Sequence, residues 1–314
     1  ASMLTPSLQV AMNELSNHDH SRFLTYRGKC LPVALMTLAL ASANVALAQT
    51  NPWVGEALPA EGGDFYLFNK AGNGFLLGAN TWGTQGSLGQ PGLACTLAVS
   101  NGKYKIVTNA GKAGNGLGSD GYVDNGTPAE YVLTDPTPDD GLNEYTIALD
   151  GKYFYWGGEG TVLKLDGEGS AEEPQWLLVS KGQRESKLDE ATKDNGVDAT
   201  FYIIGAGFDC AQPGAWQVTN DGGTTNLCGP NGSANNHYYC AEAYNNNSFD
   251  IYQELTGIRN GRYRVTCQGF YRSDDGARNA MIYAGLNESP LLQGVDDGNG
   301  MPNNMASAAN AFAE

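Results

Sequence analysis

Apolar and polar positions alternate with a period of two along most of the chain beyond residue 60. Phe65 and Leu67, Tyr104 and Ile106, and Tyr145 and Ile147 each open a stretch of this alternation. Period two places successive side chains on opposite faces of a strand. Three segments share one plan: Asp64–Asn101, Gly102–Thr137 and Asn143–Arg184. Each runs from an opening strand through a Gly-bearing turn, a second short strand and a variable loop to a closing strand. The closing strands read CTLAVSN, AEYVLTD and PQWLLVSKG. Asn-Gly and Asp-Gly pairs separate the pieces, as expected of tight hairpin turns. The pattern predicts three units of about forty residues, four strands each, over 64–183.

The alternation breaks at 184–196, RESKLDEATKDNG, which is charged and helix-compatible. These residues are expected to form a linking helix at a domain boundary. Val197–Ile204 resumes a strand pattern, continued by Gly207-Phe208-Asp209 and Ala215-Trp216. Asn260-Gly261 then feeds a long alternating run through Arg272, and Ala280–Ala284 reads as one more strand. From Leu292 the chain is rich in Gly, Asn and Ala.

The N-terminal part has a different character. Residues 31–48 carry no charge, follow Arg27 and Lys29, and end with Ala46 and Ala48 placed as an A-x-A signal. That grammar describes a secretory signal peptide cleaved after Ala48. The apolar run is shorter than the roughly 20 residues a membrane span needs. The expected organisation is leader and signal at 1–48, linker at 49–63, first domain at 64–183, linking helix at 184–196 and second domain at 197–314. The expected location is secreted, periplasmic or cell-surface, with no membrane insertion once the signal is removed.

Composition narrows the function. With Lys+Arg 18 against Asp+Glu 34, the net charge of −16 argues against nucleic acid and anionic membranes, which require cationic footprints. Gly 42 and Tyr 16 with only 17% charged residues describe an all-β chain with many turns. Beyond the leader a single histidine, His237, remains, in the polar turn Asn235-Asn236-His237-Tyr238. Histidine-based nucleophilic catalysis therefore has one candidate in a loop context. Cys210, Cys228, Cys240 and Cys267 contain no C-x-x-C pair, which argues against a zinc ribbon. In an exported chain they allow three disulfide pairings, or remain small buried thiols. Cys95, within Leu93–Leu97, is expected to be buried and unpaired.

Pro174-Gln175-Trp176-Leu177 resembles the closing Q-x-W-type strand of ricin-like β-trefoils, with Gln and Trp adjacent here. Glu130-Tyr131-Val132 and Cys95-Thr96-Leu97 stand in the same place in the other two segments, without the Trp. The resemblance implies a β-trefoil over 64–183, with Trp176 in its core. Gly207-Phe208-Asp209 with Trp216, Ala241–Asn245 with Phe249–Gln253, and Leu255–Val265 resemble galactose-binding-like jelly-roll domains of surface proteins from glycan-using bacteria. A jelly roll has about eight strands, more than 197–314 supplies, so that domain is expected to be incomplete. Such domains often hold a structural Ca²⁺. Asp209, Asp221 and Asp250 have suitable oxygen chemistry, but no EF-hand spacing is present. No cofactor is expected.

The function expected is non-catalytic carbohydrate binding. Sugars present apolar C–H faces to aromatic rings and hydroxyls to amides and carboxylates. Trp82 lies in the polar loop Asn80–Gln85, and Trp156 ends the aromatic run Tyr153–Trp156. They are the candidate ligand-binding residues of the first domain; Trp216, Tyr271 and Arg272 are those of the second. The alternatives are a structural or adhesive surface protein, or the binding part of a larger glycan-degrading enzyme. The acidic residues cluster in turns such as Asp139-Asp140, Asp274-Asp275 and Asp296-Asp297 and single out no catalytic pair.

Overall fold

The computed structural model describes residues 2–11, 52–79, 83–208, 215–227, 241–244, 247–272, 280–290 and 292–294. It is mostly β, as the alternation predicts. Strand β1 is Ser2–Ala11. The first domain contains β2 (Gly62–Asn69), β3 (Gly74–Ala79), β4 (Gln85–Gly89), β5 (Ala94–Ser100), β6 (Lys103–Val107), β7 (Glu130–Thr134), β8 (Glu144–Leu149), β9 (Lys152–Trp156), β10 (Leu163–Asp166) and β11 (Trp176–Val179). Helix α1 (Lys181–Lys187) follows. The second region contains β12 (Val197–Asp198), β13 (Gln217–Asp221), β14 (Thr224–Leu227), β15 (Ala241–Tyr244), β16 (Ser248–Tyr252), β17 (Arg262–Arg272), β18 (Met281–Ala284), β19 (Asn287–Pro290) and β20 (Leu292–Gly294).

Six strands close a barrel, two from each of the three segments read from the sequence. The path runs β8-β7-β6-β5-β2, and β11 shuts it by pairing with both β2 and β8. Trp176 faces Asn69 on one side and Tyr145 on the other. The tight turns follow the residue types that tolerate positive φ. Asn101-Gly102 (φ 52 and 74) joins β5 to β6, and Asp150-Gly151 (φ 50 and 78) joins β8 to β9, the signature of type I′ turns. The remaining strands form hairpins, β3–β4 and β9–β10. The middle segment departs from the four-strand plan. Between β6 and β7 it has only isolated bridges, Val107 with Gly116 and Gly116 with Asn125. The loop passes close to β6 at Gly116, where a Cβ would lie 2.2 Å from the Ile106 carbonyl oxygen. The loop is tethered by scattered backbone bonds, such as Leu117 N to Ile106 O and Val123 N to Thr84 O, and by side chains, such as the Tyr131 hydroxyl donating to Gly118 O at 2.7 Å. The hairpin regions meet: Gln85 bridges Tyr122, Ser87 bridges Val162, and Leu88 N donates to Thr161 O.

The barrel interior is filled by Leu67, Leu76, Leu97, Ile106, Leu117, Tyr131, Ile147, Phe154 and Trp176, all essentially inaccessible to solvent. Trp176 is core, stacked parallel on Phe154 at 5.5 Å, its indole N–H donating to Phe154 O at 2.6 Å. Cys95 is buried and unpaired.

The segment expected to be a linker, 49–63, is packed along the barrel over its described residues. Glu56 N donates to Leu178 O, Leu58 N to the Tyr145 hydroxyl, and Asn143 Nδ2 to Gly55 O. The linking helix begins three residues earlier than expected, because Ser180 caps it by accepting from Gln183 N at 3.1 Å. A 3-10 turn over Leu188–Glu190 continues it. The strand expected over Val197–Ile204 is limited to β12. Thr200–Tyr202 forms a 3-10 turn whose Phe201 and Tyr202 side chains enter a cluster with Leu188, Ala199 and Ala206. Asp198 starts that turn by accepting from Thr200 N.

In the second region one sheet runs β14-β15-β1-β17-β20, with β12 beside β1. Two-stranded sheets β13–β16 and β18–β19 accompany it. The long strand after Asn260-Gly261 is β17, and β18 occupies the last strand read from the sequence. The sequence pattern had assigned no strand to residues 2–11. The structure places them along the whole of β17, Ser2 opposite Tyr271 through Ala11 opposite Arg262. The apolar segment 31–48 lies outside the described residues. Among the described residues no helix is long and apolar enough to cross a membrane.

Candidate functional site

Strand β9 carries Lys152-Tyr153-Phe154-Tyr155-Trp156, and period two separates its side chains. Phe154 points into the core, while Tyr153 and Tyr155 line an open cleft of about 310 Å³. Its floor is formed by β8 and β9, through Thr146, Ile147 and Tyr153–Gly157. Its wall is the loop leading to β11, through Glu168, Gly169, Ser170, Glu173 and Gln175. Glycine at 169 allows that loop to lie on the tyrosines: a Cβ there would come within 2.5 Å of Tyr153 Cβ and 2.9 Å of Tyr155 Cδ1.

Hydrogen bonds hold the cleft in shape. The Gln175 side-chain oxygen accepts from Trp156 N at 2.9 Å and from Asn69 Nδ2 at 3.1 Å. The Gln of the closing strand thus ties β9 to β2. Tyr155 donates its hydroxyl to Asp166 Oδ1 at 3.0 Å, and the same oxygen caps the turn at Glu168 N. Burial, followed by the bond to Asp166 and the charges of Asp166 and Glu168, pushes the Tyr155 phenol up to about 12. The Glu168 and Glu173 carboxylates are exposed and engage no hydrogen bond or ion pair among the described residues. The cleft therefore offers aromatic faces beside free acceptors.

Trp156 shares the Phe154 face of β9; it borders the cleft at its end and is half-buried against the core cluster. Its indole N–H donates to Gly160 O at 2.9 Å, and its ring packs over Gly72, where a Cβ would meet Trp156 Cγ at 3.0 Å. Trp216 is also half-buried, tilted against Phe208 at 4.8 Å with its N–H bonded to Gly205 O at 2.8 Å. It belongs to a packing cluster separate from the cleft. Tyr271 and Arg272 end β17, in parallel register with Gln293 and Gly294 of β20. Trp82 lies outside the described residues. Among the described residues, Trp156 borders the cleft and Trp216 lies in the separate cluster.

The sequence reading passed over Tyr153, Tyr155, Glu168, Glu173 and Gln175 as a group. Two signals were present: an aromatic run too long for one face of a strand, and the acidic, Gly-bearing loop Asp166–Glu173 in the same segment.

Of the three candidate Ca²⁺ ligands, Asp209 lies outside the described residues. Asp221 is exposed at the end of β13, and Asp250 on β16 accepts from the Tyr283 hydroxyl at 2.9 Å. Among the described residues no group of three or more His, Cys, Asp or Glu side chains gathers as a metal site. Cys267 is a free thiol; Cys210, Cys228 and Cys240 lie outside the described residues.

No protein-family model matches the chain, and comparison with curated proteins and with solved structures returns no match.

Proposed function

We propose that the chain is an exported, non-catalytic carbohydrate-recognition protein. In this reading its first domain is a β-trefoil and its second a jelly-roll-type module. The trefoil assignment is supported by the six-stranded barrel, two strands drawn from each segment, and by the hairpin regions that meet one another. The jelly-roll assignment rests on the phrases of the second region and on the long strand β17. Export rests on residues 31–48.

The observation that carries the functional reading is the cleft on β9. It combines Tyr153, Tyr155 and Trp156 with free carboxylates and a positioned amide. Stacking on the rings selects the apolar face of a pyranose, and the acceptors take its hydroxyls. At about 310 Å³ the cleft stands at the small end of ligand sites, which run from roughly 300 to 1,000 Å³. It suits one or two sugar rings, bound weakly because the hydroxyls must be desolvated.

A broad glycan array tests the proposal, with Tyr155→Ala as the variant. Binding of at least one oligosaccharide class, weakened by Tyr155→Ala in a folded protein, supports it. No binding on the array leaves the adhesive reading in its place. Release of reducing sugar from a polysaccharide by the purified chain overturns the non-catalytic assignment.

A further inference from the structure

The charge of the cleft narrows the ligand further. Glu168 and Glu173 stand on its wall loop, and Asp166 ends β10 beside it, bonded to Tyr155 of β9. Asp166 is engaged by Tyr155, whereas Glu168 and Glu173 meet no protein cation among the described residues. One cation stands close by, on β10: Lys164 lies two residues before Asp166 and directly across from Tyr155. Lys164 crosses Gly157 so closely that a Cβ on Gly157 would sit 2.6 Å from its Cε and 2.9 Å from its Nζ. The cleft thus keeps an excess of negative charge, on a chain whose net charge is −16.

Aromatic faces attract cations through the ring quadrupole, and carboxylates beside the rings add a Coulombic term. A neutral sugar would use the rings and leave the carboxylates accepting only neutral hydroxyls. A uronic or sulfated sugar would be repelled. An ammonium group satisfies both elements at once, since charge-assisted hydrogen bonds are about twice as strong as neutral ones. Resting on the glycan reading above, we infer that the β9 cleft selects an amino sugar: a hexosamine whose 2-amino group is free and protonated. The sugar ring lies on Tyr153 or Tyr155, and the ammonium is received by Glu168 and Glu173. N-acylation removes the charge and with it the selection.

The experiment titrates the full chain with glucosamine, N-acetylglucosamine and glucose oligomers of equal length, and with an oligolysine of equal charge. Exposed ion pairs and cation–π contacts are each modest. Together they predict about tenfold tighter binding of the glucosamine oligomer than of either neutral one at low salt. The advantage shrinks toward unity at about 0.5 M salt, where the Debye length falls to a few ångströms. In the double variant Glu168→Gln/Glu173→Gln, checked for folding by circular dichroism, the preference falls to within about twofold. Equal binding of the three sugar oligomers overturns the amine inference and leaves the glycan reading standing. No binding of any sugar oligomer overturns both. Oligolysine bound as tightly as the glucosamine oligomer shows that charge alone is recognised, and also overturns the inference.

Discussion

The guanidinium of Arg184 lies 4.6 Å from the ring of Phe201, joining the helix after the barrel to the packing cluster of the second region. The same group stands 4.4 Å from the Tyr66 ring on barrel strand β2 and 4.3 Å from the Phe75 ring on hairpin strand β3. It donates to Pro91 O at 2.6 Å, while its buried Nε meets no acceptor among the described residues. A cation is held here largely by π faces, and burial lowers its pKa to about 10. Around it Tyr202 donates to Glu185, and Arg259 donates to Glu185 O and pairs with Asp189, so the second region holds α1 and the 3-10 turn after it.

Because desolvation opposes the charge, an apolar side chain of similar length should serve nearly as well. Arg184→Met is expected within about 1 kcal/mol of the parent, whereas Arg184→Ala loses about 2–4 kcal/mol through the cavity it leaves. Arg184→Lys should rank below Met, since an ammonium lacks the planar face that lies on the rings. Urea unfolding of the three variants decides; a Met variant as unstable as Ala would show that the charge itself is required.

Stability should decline at alkaline pH. Burial pushes the Cys95 thiol from 9.0 up to about 12, and pushes the Tyr131, Tyr66 and Tyr145 phenols above their ordinary 10.0. A raised acid contributes stability that is fully present below its unfolded pKa and is lost as pH rises toward the folded one. The loss therefore starts near pH 9 with the thiol and steepens above pH 10 with the phenols. Arg184 acts in the opposite sense from about pH 10, because the folded protein releases that proton first. Denaturant midpoints measured from pH 7 to 10.5 should be flat and then fall. Cys95→Ala should reduce the part between pH 9 and 10, leaving the share of Cys267, whose thiol burial also raises.

Tyr131→Phe tests the tether of the middle loop. The hydroxyl is buried and bonded to Gly118 O. Its removal leaves that carbonyl without the bond, at a cost of about 1–2 kcal/mol. An unchanged thermal midpoint would mean that the loop is held without it.

Gly72→Ala tests the support of Trp156. The added methyl would meet Leu88 Cδ1 at 2.0 Å and Trp156 Cγ at 3.0 Å. Displacing the indole should cost about 1–3 kcal/mol and weaken sugar binding at the cleft. Retained affinity in the folded variant would assign Trp156 to packing alone.

Removal of residues 1–48, as cleavage after Ala48 would achieve, should leave the barrel's unfolding transition unchanged. Among the described residues strand β1 pairs only with β12, β15 and β17. The second region should lose stability, because the facing edges of β15 and β17 are then left without a partner. Hydrogen exchange resolved by segment separates the two outcomes; faster exchange in β2, β5 or β8 would contradict the independence of the barrel.

By itself the sequence determined what depends on neighbouring residues. Period-two alternation specified the opening and closing strands of the three segments, because a side chain's face is set two residues away. Asn101-Gly102 and Asp150-Gly151 specified the tight turns, because positive φ costs these residues little. Tertiary structure decided what depends on distant partners. Whether the sheet closed rested on β11 finding both β2 and β8, contacts that no local pattern encodes. Arg184 reads as one more charge in a solvated linking segment, yet it is 3% exposed, because four aromatic rings from separate parts of the chain surround it. The stretch Val197–Ile204 reads as a strand, yet the cluster around Leu188 takes Phe201 and Tyr202 as a 3-10 turn, burial outweighing β propensity. The cleft follows the same rule. Tyr155 and Glu168 are unremarkable separately, and only the path of the loop over Gly169 sets rings and carboxylates around one space.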